Sequence, residues 1–204
     1  MYANHSPYGH LPRLGPEFYR GRAIVHWTLA IQNRSVGWLN ALSHARFREL
    51  LAHALFRQSL ACAAYCLMPD HAHLIWLGRS EASDQHKAMA FLRGELNRLL
   101  APLELQKQVY DHVLRERDRE RDAFQRSAHY VLENPVRKRL VERAEDYPYS
   151  GAMLVGYPRL NVHDRGYWDL FWRLMETQSG SQEVEPRADA RGYERAVGTT
   201  FSTR

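Results

Sequence analysis

Two apolar runs, residues 60–67 and 71–77, are separated only by Met68-Pro69-Asp70. Both have the length and the β-branched, aromatic and apolar content of strands, and so short a gap returns the chain on itself as a hairpin. An antiparallel pair therefore sits near the middle of the chain, and the remaining elements have to be arranged about it.

The flanking sequence supplies those elements. Residues 23–32, Ala-Ile-Val-His-Trp-Thr-Leu-Ala-Ile-Gln, read as a first strand. Between 36 and 59 the residues Trp38, Leu42, Phe47, Leu50, Leu51, Ala54 and Leu55 recur at three and four, which predicts an amphipathic helix. Ser83 opens a second helical run to about Leu100, with Ala90, Phe91, Leu96, Leu99 and Leu100 on one face and Pro102 closing it. Residues 105–114 read as a strand. Residues 115–122 alternate in charge and lead into a helix carrying Phe124, Ala128, Tyr130 and Val131. Strand, helix, hairpin, helix, strand, helix is an α+β pattern, and it predicts a ferredoxin-like antiparallel sheet with flanking helices. The expected organisation is an extended lead-in over 1–22, one domain over 23–150, an extension with a short helix over 151–175, and a polar, flexible tail over 176–204.

Composition narrows the function classes. Hydrophobic residues make up 45% and charged residues 25%, which is the balance of a globular chain rather than a disordered one. No run reaches the roughly 18 to 20 apolar residues needed to span a bilayer, and Pro7, Pro12 and Pro16 interrupt residues 1–22, so no membrane partner and a cytoplasmic address are expected. Cys62 and Cys66 on one strand would lie about 13 Å apart, beyond disulfide reach. Lys plus Arg 28 against Asp plus Glu 23 gives a net charge of +5, which suits either a polyanionic partner or a merely solubilising basic surface.

Two local patterns carry chemistry. In Met68-Pro-Asp-His-Ala-His-Leu-Ile-Trp76 the alternation of a strand puts His71 and His73 on one face, about 7 Å apart along the backbone, close enough to converge on one divalent cation. The same pair is also compatible with two polar residues satisfied by water. In Tyr130-Val-Leu-Glu-Asn134-Pro-Val-Arg-Lys-Arg139, a continuous helix would put Tyr130 and Asn134 one turn apart on the same face. Pro135 disfavours helical backbone at 134, so Asn134 is either part of that site or the cap of a new turn. Tyr130 is either a site phenol or a packing residue. Arg137, Lys138 and Arg139 are placed to hold a phosphate backbone or to be solvated.

Together these blocks resemble the single-tyrosine (Y1) transposases of the HUH superfamily, the IS200-like group, and most closely their REP-associated branch. Met68-Pro69-Asp70-His71-Ala72-His73-Leu74 is similar to the family's Met-Pro-Asn-His-x-His-hydrophobic block, with Asp70 where Asn is common. Tyr130-Val131-Leu132-Glu133-Asn134-Pro135-Val136 is similar to its tyrosine block, Asp111-His112-Val113-Leu114-Arg115 to its Asp-His-x-Leu-Arg segment, and Glu145-Asp-Tyr-Pro-Tyr-Ser150 to its Trp-Pro-Tyr-Ser-Ser ending.

The resemblance implies the HUH fold and an enzyme that nicks and rejoins single-stranded, hairpin-bearing DNA. His71 and His73 would hold Mg2+ or Mn2+ with Asn134 as a third ligand, and Tyr130 would attack to leave a 5′-phosphotyrosine. Arg115, Arg137, Lys138 and Arg139 would contact the DNA, and the protein would act as a monomer or homodimer. Asp70 would support a histidine or simply shape the turn. His112 is expected to be structural and His129 a phosphate contact, with Tyr110, Tyr147 and Tyr149 as substitute nucleophiles. The competing expectation is a domesticated module of the same fold that grips structured single strands without turnover.

Overall fold

The computed structural model describes residues 14–114 and 121–177. Its elements run β1 (Ile24–Ala30), α1 (Ala41–Arg57), β2 (Leu60–Met68), β3 (His71–Gly78), α2 (Gln85–Leu100), β4 (Tyr110–Val113), α3 (Arg121–Leu132), the single turn α4 (Asn134–Arg137), β5 (Ser150–Met153) and α5 (Tyr167–Thr177). The five strands are ordered β4-β1-β3-β2-β5, and every neighbouring pair is antiparallel. The expected hairpin occupies the middle of this sheet, and α1 carries the chain from β1 over to β2 so that β3 fits between them. The first six elements thus follow the ferredoxin-like pattern. β5 extends the sheet beyond β2, so the segment expected over 151–175 begins inside the sheet.

Local chemistry sets the element ends. Helix α1 starts at Ala41 rather than near 36 because Asn40 and Ser43 form a reciprocal cap: the Asn40 side chain accepts from the Ser43 backbone N–H, and the Ser43 hydroxyl accepts from that of Asn40. Asp84 caps α2 by accepting from the Lys87 N–H at 3.1 Å. β4 is shorter than the expected 105–114: Leu105 makes only a lone bridge to Ile31, and pairing resumes at Tyr110.

Alternation sorts the side chains into two cores. On one face Val25, Trp27, Leu29, Tyr65, Leu67, Leu74 and Trp76 pack against Phe47, Leu51 and Leu55 of α1 and Met89, Leu92 and Leu96 of α2. On the other, Ile24, Ala64, Cys66, Met68, Ile75 and Leu77 pack against Phe124, Ala128, Val131 and Leu132 of α3 and Tyr167 and Phe171 of α5. The β2–β3 hairpin is covered on both sides, which is why all of β2 is buried.

A bulge at Ala63 shifts the β2 register, so Cys62 and Cys66, four apart, face opposite cores; both are free and buried. The Tyr167 hydroxyl donates to the Ala63 carbonyl at 2.5 Å, satisfying a backbone acceptor at the bulge. Among the described residues, no helix is long and apolar enough to cross a membrane.

One glycine is fixed by close approach. A Cβ on Gly78, at the end of β3, would stand 1.7 Å from the backbone oxygen of Gly21 and 3.2 Å from Ser83 Cβ. Gly78→Ala therefore forces backbone apart and should cost about 1 to 3 kcal/mol, read as a lowered urea midpoint with unchanged slope.

Candidate active site

β1 and β3 place a histidine cluster on the sheet face that also carries α3. In register, Thr28 lies opposite His73 and His26 opposite Ile75, so His26, Thr28, His71 and His73 project to that side. His71 and His73 come together as expected: their Nε2 atoms are 3.1 Å apart and their rings lie at 90°. Two imidazoles bound side by side to one cation at about 2.1 Å would hold their nitrogens about 3.0 to 3.4 Å apart, so the separation fits a shared ion.

Each ring is held from behind. His71 Nδ1–H donates to Asp70 Oδ1 at 2.6 Å, which leaves its Nε2 with a lone pair. Asp70 Oδ2 accepts in turn from Arg34 at 3.1 Å. Burial works against the Asp70 charge, but the His71 hydrogen bond and the Arg34 guanidinium outweigh it and keep the carboxyl below its ordinary range. Asp70 thus supports a histidine as well as shaping the turn. His73 Nδ1 lies 3.1 Å from both Thr28 Oγ1 and His26 Nε2. A hydroxyl donates or accepts equally well, so Thr28 lets His73 carry its proton on Nδ1 and present Nε2 beside that of His71.

Burial, reinforced by His26, His71 and Arg34, drives His73 down to about 3, and burial with His112 drives His26 down to about 4. Both are neutral at pH 7, the form in which imidazole binds metals. Among the described residues, no set of three or more His, Cys, Asp and Glu side chains is arranged to hold a metal ion.

Tyr130 rides on α3, whose buried side (Phe124, Ala128, Val131, Leu132) rests on the same sheet face as the histidines, while its own side chain is 53% exposed. The predicted one-helix relation between Tyr130 and Asn134 gives way to a corner. Helix α3 stops at Leu132, and Asn134 opens the separate turn α4. Pro135 has no N–H to give the Val131 carbonyl four residues back, and the Asn134 side chain replaces it, Nδ2 donating to the Val131 and Tyr130 carbonyls at 3.1 Å each. The buried amide thus fastens the corner through Nδ2.

Across that corner the Arg137 guanidinium stacks on the Tyr130 ring, 4.1 Å from its centroid. Lys138 and Arg139 follow, Arg139 at φ 58° closing the turn, and all three are exposed without an ion-pair partner among the described residues. Arg115 lies outside the described residues. Tyr147 is buried with its hydroxyl on the Leu67 carbonyl, and His129 lies beside Trp168 in a cleft of about 560 Å³.

Sequence reading missed His26, Thr28 and Arg34. The first two had a signal: within β1 they alternate with apolar Val25, Trp27 and Leu29, the mark of a polar sheet face. Arg34 had none, because it reaches Asp70 through two consecutive left-handed residues, Asn33 at φ 57° and Arg34 at φ 54°.

Asn134→Ala leaves two helix-end carbonyls without their partner and should cost about 1 to 3 kcal/mol in urea unfolding. The neutral histidines set an acid response. Unfolded imidazoles protonate near 6.5, whereas His26 and His73 resist until about 4 and about 3, so the unfolded chain binds protons first and stability falls as pH is lowered from 6.5. Urea midpoints at pH 7 and pH 5 should show the drop, and His26→Gln should remove part of it.

No family model matches the chain, and no curated protein matches it in sequence. Among solved structures it is similar to that of a REP-associated tyrosine transposase bound to a REP hairpin, at 18% identity and a TM-score of 0.54, over 70% of this chain and 82% of that one. The five-stranded antiparallel sheet with helices on both faces is the fold the two chains share.

Proposed function

We propose that the protein is a metal-dependent enzyme that nicks and rejoins single-stranded, hairpin-bearing DNA through a 5′-phosphotyrosine on Tyr130. The observation that carries this reading is the convergence of His71 and His73 Nε2 at 3.1 Å on the sheet face that supports the Tyr130 helix. The hairpin held by the similar transposase structure supports DNA as the partner.

His71 and His73 would hold Mg2+ or Mn2+, whose chemistry when bound is to polarise the scissile phosphate and stabilise the leaving oxygen. The chain's own groups do the rest. Asp70 and Thr28 keep both Nε2 lone pairs turned to the same point. The Tyr130 oxygen attacks phosphorus, the bond to the 3′ oxygen breaks, the phenolic proton passes to solvent, and the departing 3′ oxygen takes a proton from solvent to leave a free 3′-OH. A second 3′-OH reverses the step and releases the tyrosine, so joining needs no nucleotide triphosphate. Arg137 holds the phenol ring from one side and, with Lys138 and Arg139, offers positive charge to the backbone. Asn134 clamps this corner through Nδ2, and its Oδ1 is the atom that would serve as the third ligand.

The test uses labelled hairpin-flanked single strands taken from beside the gene, with Mn2+. The unaltered protein should form a covalent adduct; Tyr130→Phe should bind DNA and metal as before yet lose the adduct by at least about a thousandfold. His71→Ala and His73→Ala should weaken Mn2+ binding and recover partial cutting at high Mn2+. DNA binding without an adduct from the unaltered protein would favour the non-catalytic module instead.

A further inference from the structure

The face that carries the histidines continues outward beyond β1. Thr28 pairs with His73 on one side and with Tyr110 of β4 on the other, and His26 pairs with Ile75 and His112 in the same way. Directly opposed residues project to one side, so His73, Thr28 and Tyr110 form a straight row across β3, β1 and β4, with His112 next to Tyr110 on the edge strand. Two strand spacings put Tyr110 about 10 Å from His73 at the backbone, a reach of one or two nucleotides.

Tyr110 is unusual among the aromatics of this sheet. Trp27, Tyr65 and Trp76 are buried, whereas Tyr110 is 50% exposed and, among the described residues, has neither a hydrogen-bond partner nor a ring contact. His112 beside it is also exposed. Helix α3 packs mainly on β2 and less on β3, on the opposite flank of the histidine pair. Among the strand residues of this row, the short side chain of Thr28 stands between His73 and Tyr110.

We infer that Tyr110 is a stacking platform for an unpaired nucleobase adjoining the phosphate held at His71 and His73. The inference rests on the proposed single-strand substrate. A nucleobase is the occupant that fits. It presents a π-face to an exposed ring while its own phosphate stays within reach of the histidine pair, and stacking on aromatic side chains is how proteins grip unpaired strands without reading their sequence. The imidazole of His112 lies where it can hydrogen-bond the sugar-phosphate of the same nucleotide. The contact uses the ring, not the hydroxyl, and contributes no ion pair.

Those two features define the experiment. Binding of a fluorescein-labelled single strand of mixed sequence is followed by anisotropy in Mn2+ over a range of salt, for the full chain and for Tyr110→Ala, Tyr110→Phe and Tyr110→Trp. Tyr110→Ala should weaken binding about five- to hundredfold at every salt concentration, with an unchanged salt slope, while Phe and Trp stay within about twofold of the unaltered protein. A strand with one abasic nucleotide, moved stepwise along the sequence, should lose affinity for the unaltered protein at one position and not for Tyr110→Ala. Half exposure makes the alanine variant foldable, and matching urea midpoints check this. Equal binding by Tyr110→Ala, a Phe variant as weak as the Ala variant, or a reduced salt slope overturns the platform while the DNA reading stands. Absence of single-strand binding by the unaltered protein overturns both.

Discussion

The β2–β3 hairpin is the constraint on which the rest of the molecule depends. It is paired on both edges and covered on both faces, so its position is over-determined. Its tight turn is tied down as well: the Trp38 indole N–H donates to the Pro69 carbonyl at 2.8 Å, and Arg34 holds Asp70. Both tethers come from the segment that follows β1, the central neighbour of β3. The first residue after the turn is His71, so its imidazole inherits the rigidity of the hairpin and of its anchors. Groups that must hold an ion between them need placement of this order, and strands provide it better than loops do.

The second rigid device is the corner between α3 and α4. Pro135 has no N–H to give the Val131 carbonyl, and the buried Asn134 amide supplies the missing donor on the spot. The repair also fixes the direction in which the chain leaves α3, which is what lays Arg137 over Tyr130. The Asn-Pro pair is thus a joint between the two helical segments.

This explains which parts were legible in the sequence. The hairpin and the helix faces follow from local periodicity and short connections, and those are properties of neighbouring residues. The histidine pair was legible for the same reason, since alternation alone brings residues 71 and 73 to one face. The corner was half legible: Pro135 announces a break, yet only geometry tells whether the amide before it turns inward to the helix or outward to a site. His26 and Thr28 were marked by their alternation within β1, but their partners are set by register between strands distant in sequence, and Arg34 depends on left-handed backbone at non-glycine residues, which has no compositional mark. The late start of α1 belongs with these, because an apolar stripe at the right spacing continues through Trp38 although the Asn40 cap forbids helix there.

Charge divides the labour within the candidate site. His26 and His73 are neutral at pH 7, and behind His71 stands a carboxylate kept ionised by its neighbours. Arg34, the cation nearest that turn, is already committed to Asp70. A phosphate brought to this cluster would meet uncharged lone pairs backed by negative charge, an arrangement that attracts cations and not anions. Affinity for a polyanionic strand has to come from elsewhere on the surface, and the exposed Arg137, Lys138 and Arg139, without an ion-pair partner among the described residues, stand at the end of the Tyr130 helix. The histidine cluster is therefore suited to polarising a phosphate through an ion, and the basic turn to drawing the strand in; neither could do the other's work.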